Sequence, residues 1–301
     1  MPRPKRHHYV PRWYLKGFVD PQSGCLHAYD KVSGNYWTPK PKNVMVIKDY
    51  YQQMHAPDGI DPDIFEKMLG SELEPEAQRG FKKLLNLPPK FTEKDTSNIL
   101  TYLALQHLRV PRQAKDAKRI ARDIVEYIAL QAPSSMVPPE AKIALMKGEI
   151  VISIKDAFRF NFMKMFTADL ALYFSYMAWE VSEAPDGCSF ITSDSPVTFF
   201  NVACVPPIDA GLALVGTIVF FPLDSQLVLV LRHPEYIDNP SIDPLKIVPK
   251  PEWEDGKIGV NYEVCDENQV NACNRIMLDL SDRVVIGSSR EILEKAVDKE
   301  S

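Results

Sequence analysis

The chain has 301 residues, 45% hydrophobic and 25% charged, with 40 acidic residues against 35 basic ones and a formal net charge of -5. That balance excludes disorder as the main state, leaves enough apolar material for a large core, and argues against a general coat for nucleic acid. Five cysteines, odd in number, far apart and never in a CxxC pair, suggest neither a disulfide framework nor a zinc ribbon; with no apolar leader after the basic start, a cytoplasmic protein is expected.

Residues 1–19 carry Arg3, Lys5, Arg6, Arg12 and Lys16 and no acid. Residues 25–30 and 36–38 flank the turn Lys31-Val32-Ser33-Gly34-Asn35 and read as a β-hairpin, with a third short strand at 44–51. From Asp61 the apolar period changes to three and four, which predicts an amphipathic helix ending before Pro88. Thr92 with Asp95 predicts a capped helix over 95–109, and Pro111 separates it from a basic helix over 112–131. A short helix ends near Lys147, and a long one is predicted over 155–181. Its apolar run at 162–181 is interrupted by Lys164, Asp169 and Glu180, so it reads as a core helix and no membrane span is expected.

Strand periodicity returns at 188–192, 197–201, 217–221 and 226–231, and residues 239–256 read as a surface excursion. A helix at 267–281, a strand at 283–286 and a helix at 289–297 close the chain. The order predicts one α+β domain over 1–301: a mostly antiparallel sheet formed by N- and C-terminal strands, with a helical insertion over about 60–183. The hairpin is too small to stand alone, so residues 22–52 are expected to pair with strands from 185–232 in one sheet.

The densest chemical constellation is Arg6-His7-His8-Tyr9-Val10-Pro11-Arg12. Paired histidines offer nitrogen ligands to a divalent metal, or a base titrating near neutral pH. In an extended segment they point to opposite faces, so one faces any given pocket; a hydrogen-bonded structural pair is the alternative. Asp194, in Thr192-Ser193-Asp194-Ser195-Pro196, stands at a strand end, where it can bind a metal or orient a histidine; a turn aspartate accepting backbone N–H bonds is the plainer reading. Gln106, His107, Arg109 and Arg112 gather at a helix end, where guanidinium groups suit phosphate. Glu66, Glu72 and Glu74 add carboxylates that helix-surface ion pairs would also explain, and Asn271 and Asn274 share a helix face. No Walker loop, GxGxxG, GxSxG or HExxH occurs.

His7-His8-Tyr9-Val10-Pro11 with Tyr14-Leu15 and Phe18, Tyr29-Asp30-Lys31, Arg109-Val110-Pro111-Arg112, Ile191-Thr192-Ser193-Asp194-Ser195-Pro196-Val197 and Asn274 ahead of Arg283-Val284-Val285 together resemble the bacterial family catalogued as domain of unknown function 4238. The resemblance implies no established reaction, and it carries an association with candidate phage-defence genes. The opening His7-His8-Tyr9-Val10-Pro11 is also similar, locally, to the start of HNH nucleases, with Asn43 and His55 following at loose spacing.

Three readings follow. The first is a metal-dependent phosphodiesterase or nuclease-like effector, with His7, His8 and Asp194 as metal ligands and base, and with Tyr9, Gln106, Arg109, Arg112, Ser195, Asn271 and Asn274 contacting substrate. The second is a non-catalytic sensor or binding module for a nucleotide, a nucleic acid or a protein partner. A metal-free hydrolase or transferase is a third reading.

Overall fold

The computed structural model describes residues 6–52, 61–86, 92–205, 210–251 and 258–298. Arg3, Lys5 and His55 lie outside them, as do the ends of the segments expected at 61–87 and 239–256. In chain order the elements are β1 (Arg6–His8), α1 (Arg12–Leu15), β2 (His27–Asp30), β3 (Asn35–Trp37), β4 (Val46–Lys48), α2 (Ile64–Met68), α3 (Glu74–Leu84), α4 (Glu93–Leu108), α5 (Pro111–Gln131), α6 (Pro139–Met146) and α7 (Phe158–Tyr176). There follow β5 (Ala178–Glu183), β6 (Thr192–Ser193), β7 (Thr198–Phe200), β8 (Ile218–Pro222), β9 (Leu227–Arg232), α8 (Pro234–Asp238), β10 (Val260–Val264), α9 (Glu267–Leu280), β11 (Val284–Gly287) and α10 (Arg290–Val297).

The α+β class and the antiparallel bias are as the sequence predicts, but the strands divide among three sheets. The order β3-β2-β11-β6 forms one, β10-β5-β9-β8-β7 a second, and β1 pairs with β4 in a two-stranded ribbon; among the described residues only β10 and β5 run parallel. The expected partner of the hairpin is therefore corrected. β2 pairs directly with β11, with Asp30 opposite Val284 and His27 opposite Gly287, and the 185–232 region reaches that sheet only through β6, on the far side of β11. The other strands of that region, β7 to β9, satisfy their ladders in the second sheet, where β5 supplies a six-residue partner to β9.

Local chemistry explains the boundaries. In the β2–β3 turn, Asp30 Oδ1 accepts the N–H groups of Val32 and Ser33 at 3.0 and 3.3 Å, and Gly34 takes φ +73°, where a side chain would be strained. Thr92 and Asp95 form a reciprocal capping box at the start of α4, and Pro111 opens α5 at a position where its missing N–H costs nothing. The helix predicted to reach residue 181 stops at Tyr176. Trp179 donates its indole N–H to the Phe174 carbonyl at 3.0 Å, and residues 178–183 pair along the whole of β9.

The main core joins both ends of the chain to the helices. Tyr14 stacks on Phe221 of β8 with ring centroids 5.1 Å apart, and Phe81 of α3 and Tyr102 of α4 pack edge-on at 5.6 Å beside it. A second core lies between β11 and the helices α9 and α10, built on Val285, Ile191, Met277 and Leu293.

Candidate functional site

The β1–β4 ribbon aims the histidines as strand alternation requires, with His7 turned inward and fully buried and His8 turned outward and half-buried. Tyr51 donates its backbone N–H to His7 Nδ1 at 2.8 Å and lies parallel to the imidazole, so in the neutral ring the proton belongs on Nε2, a tautomer assigned from this partner. His8 has its pKa lowered to about 4: burial disfavours the cation, the Pro41 carbonyl opposes that, and Arg12 and Arg6 add repulsion. Its Nε2 is buried without a partner among the described residues.

Tyr9 follows on the His7 side, edge-on to Tyr50 at 6.2 Å. Burial raises the pKa of its phenol, and the charge of Asp194 raises it further. Gln106 donates to the Tyr9 carbonyl at 3.0 Å and accepts from Arg109 Nε at 2.8 Å. Arg109 is buried, with Nη1 on Glu74 at 2.9 Å and its guanidinium over the Tyr102 ring. Burial opposes its charge, but Tyr51, Glu74 and Tyr102 outweigh that and raise its pKa.

Between α2 and α3, residues Leu69–Leu73 form a π turn. Residues eight apart on an α-helix are offset by about 80°, and the wider π turn cancels most of that offset. Glu66 and Glu74 are thereby aligned toward the same buried cation, Arg109. The Glu66 carboxyl is raised in pKa by burial, lowered by His7, raised by Glu74 and lowered by Arg109, with the rise prevailing.

Asp194 has a different environment. Its Oδ1 accepts the N–H of Asp282 at 2.9 Å, and its Oδ2 accepts those of Arg283 and Val284 at 2.8 Å each. Burial raises its pKa against these three donors. Immediately before that segment, Lys31 donates to the carbonyls of Leu278 and Asp279 at 3.2 Å and to that of Ser281, and Arg112 donates to that of Leu280, so two cations meet the C-terminus of α9. Ser195 donates its backbone N–H to Ser193 Oγ at 3.1 Å, and its own hydroxyl is buried without a partner among the described residues. Asn274 accepts the Ile191 N–H and donates to the Ser189 carbonyl, both at 2.9 Å, stapling that loop to α9; Asn271 lines a shallow depression beside it with Cys188 and Lys295.

The structure thus brings His7 to Arg109 through Tyr51 and the two glutamates, and links Tyr9 electrostatically to Asp194. It turns His8 to the opposite face and sets Asn271 and Asn274 at a depression that shares no lining residue with this seam. His7 Nδ1 and both Asp194 oxygens are engaged by backbone amides, and no group of three or more His, Cys, Asp or Glu side chains that could hold a metal occurs among the described residues. The residues read as ligands do not fit one shared ion.

Three participants escaped the sequence reading: Tyr50, Tyr51 and Arg159. Arg159, at the start of α7, donates Nε to Asp156 at 2.9 Å and Nη2 to the Tyr50 carbonyl, and lies between the rings of Tyr50 at 4.1 Å and Phe160 at 4.5 Å. Among the described residues its Nη1 meets no carbonyl or carboxylate and the Tyr51 hydroxyl is buried without a partner, while the Tyr50 hydroxyl faces Arg159 itself. Burial pushes the Tyr50 phenol up to about 12 while the Arg159 charge pulls it down. The available signal was a lone arginine inside a strongly apolar helix, a residue type rarely buried without a role.

An α+β protein whose polar seam lies where the N-terminal ribbon meets the helices is the class that these observations define. The family model described as "Protein of unknown function (DUF4238)" matches residues 6–291, and the chain belongs to that family. No curated protein and no solved structure matches it.

Proposed function

We propose that the protein is a non-catalytic sensor or binding module that takes the phosphate of a nucleotide in the seam walled by Tyr9, Tyr50, Tyr51 and Arg159. The observation that carries this reading is the state of Arg159: its fork is fixed by Asp156, the Tyr50 carbonyl and two aromatic faces, and among the described residues its buried Nη1 meets no carbonyl or carboxylate, facing only the Tyr50 phenol. A buried guanidinium N–H and phenol O–H groups are donors, and a phosphate supplies only acceptors. The groups that a metal phosphodiesterase would recruit are already bound within the chain, Asp194 by three amides and Arg109 by Glu74 and Gln106.

Titration calorimetry with nucleoside mono-, di- and triphosphates, and with inorganic phosphate alone, tests this. Nucleotide binding should weaken about tenfold to a hundredfold in Arg159→Met, the worth of one hydrogen bond to a charged group. With added magnesium, manganese or zinc the parent should leave DNA, RNA and nucleotides uncut. Metal-dependent cleavage by the parent, abolished by a chelator and restored by the added metal, would instead establish the phosphodiesterase.

A further inference from the structure

The second half of α5 inverts the usual order of an amphipathic surface helix. Ile120, Ile124, Tyr127 and Ile128 recur at spacings of three and four and so make one stripe, yet all four are exposed, Ile124 at 53% and Tyr127 at 66%. Arg122 and Glu126, on the other side of the helix, are the more covered residues. Only Arg112 and Ala117 of the 21 residues of α5 are buried, and none of α6 is.

Lys142 of α6 donates to the carbonyls of Leu130 at 2.9 Å and of Ala132 at 2.5 Å, tying α6 to the end of α5. The exposed apolar surface continues there through Met136, Ile143, Met146, Ile150 and Val151. With Val125, ten large apolar residues between 120 and 151 are 42 to 77% exposed.

We propose that this outer face of α5 and α6 is the contact surface for a second copy of this chain. Its extent is the first argument. Ten large apolar residues so exposed present on the order of several hundred Å², at or above the largest apolar patch of an ordinary monomer and comparable to the roughly 800 Å² that each partner covers in a stable dimer.

Charge is the second argument. Residues 116–151 contain five cations and five acids, several paired within the arm, such as Arg119 with Asp116 and Arg122 with Asp123 at 3.3 Å. A basic rim would mark a face that lies on anionic lipid, and an excess of either sign would mark an oppositely charged partner. A balanced apolar patch presents no repulsion to itself, and a two-fold dimer requires the same patch on both subunits.

Sedimentation equilibrium of the full chain tests this. The parent should weigh twice the chain mass, and Ile124→Glu/Ile128→Glu should shift to the chain mass with an unchanged circular dichroism spectrum, since neither side chain is packed in the fold. Val32→Glu, which alters an exposed apolar residue on the β2–β3 turn, should remain dimeric. A parent that stays monomeric at every concentration, or a double variant that still dimerises, overturns the proposal. So does a monomeric parent that sediments with phosphatidylcholine–phosphatidylglycerol vesicles and loses this in the double variant, which would give the face to a membrane.

Discussion

A phenol hydroxyl buried with no partner is a standing cost to the fold, and Tyr51 carries one in full burial. Tyr51→Phe removes that hydroxyl and leaves the His7 contact, which uses the backbone N–H. The variant should be as stable as the parent or more so, by up to about 1 kcal/mol in urea denaturation, while nucleotide affinity falls. Asp194 is the reverse case: Asp194→Ala leaves three backbone amides without their acceptor and should cost about 2 to 4 kcal/mol by the same measurement. A residue holding only ligand would leave stability nearly unchanged. His8 gives a pH dependence. Its folded pKa of about 4 lies below the unfolded value, so between those values the unfolded chain binds more protons, and stability falls as pH drops from about 6.5 toward 4. His8→Gln should flatten that part of a plot of urea midpoint against pH. Of these residues, the sequence singled out His8 and Asp194 but not their partners, and it showed no sign of Tyr51. Asp194 was legible as an acceptor of backbone N–H bonds, whereas its donors, Asp282 to Val284, lie at the other end of the chain.

Among the elements, those with punctuation were legible. The Asp30 turn, the Thr92–Asp95 box and Pro111 each fix a boundary through bonds to near neighbours, and α4 and α5 begin within two residues of their predicted starts. The end of α7 was not, because a continuous apolar run suits a buried helix and a buried strand equally. β10 was passed over although Val260, Tyr262 and Val264 alternate with Asn261 and Glu263 at the strand period; it is held by its parallel neighbour β5. The π turn also left no signal, since a helical period read over ten residues tolerates one extra. It is nevertheless testable. Deleting Gly70, which has no atom within 4 Å of where a side chain would begin, should restore an ordinary α-helical phase with Glu66 and Glu74 seven residues apart, offset by only about 20°, so that both glutamates stay on one face. The Glu66 carboxyl, followed by NMR titration, should therefore stay raised; a fall to the ordinary glutamate value would show that this helix face does not set its environment.

At the scale of the whole molecule, the hairpin has its edge on β11 and its end of the chain in the main core, so it has no independent fold to fall back on. Limited proteolysis should not release residues 1–60 as a folded unit, and thermal unfolding should show one transition; a stable N-terminal fragment would contradict both. This dependence also has a direction in time. A strand at residues 27–30 whose partner lies at 284–287 must wait for nearly the entire chain to be made, some ten to fifty seconds at about 5 to 20 residues per second, with its pairing edge bare. Pairing so remote in sequence is slow to nucleate even after release, because a loop of about 250 residues must close first. The nascent protein therefore passes its synthesis as a client for whatever shields unpaired strands, and a shortage of such shielding should appear as aggregation of the newly made chain and not as instability of the finished one.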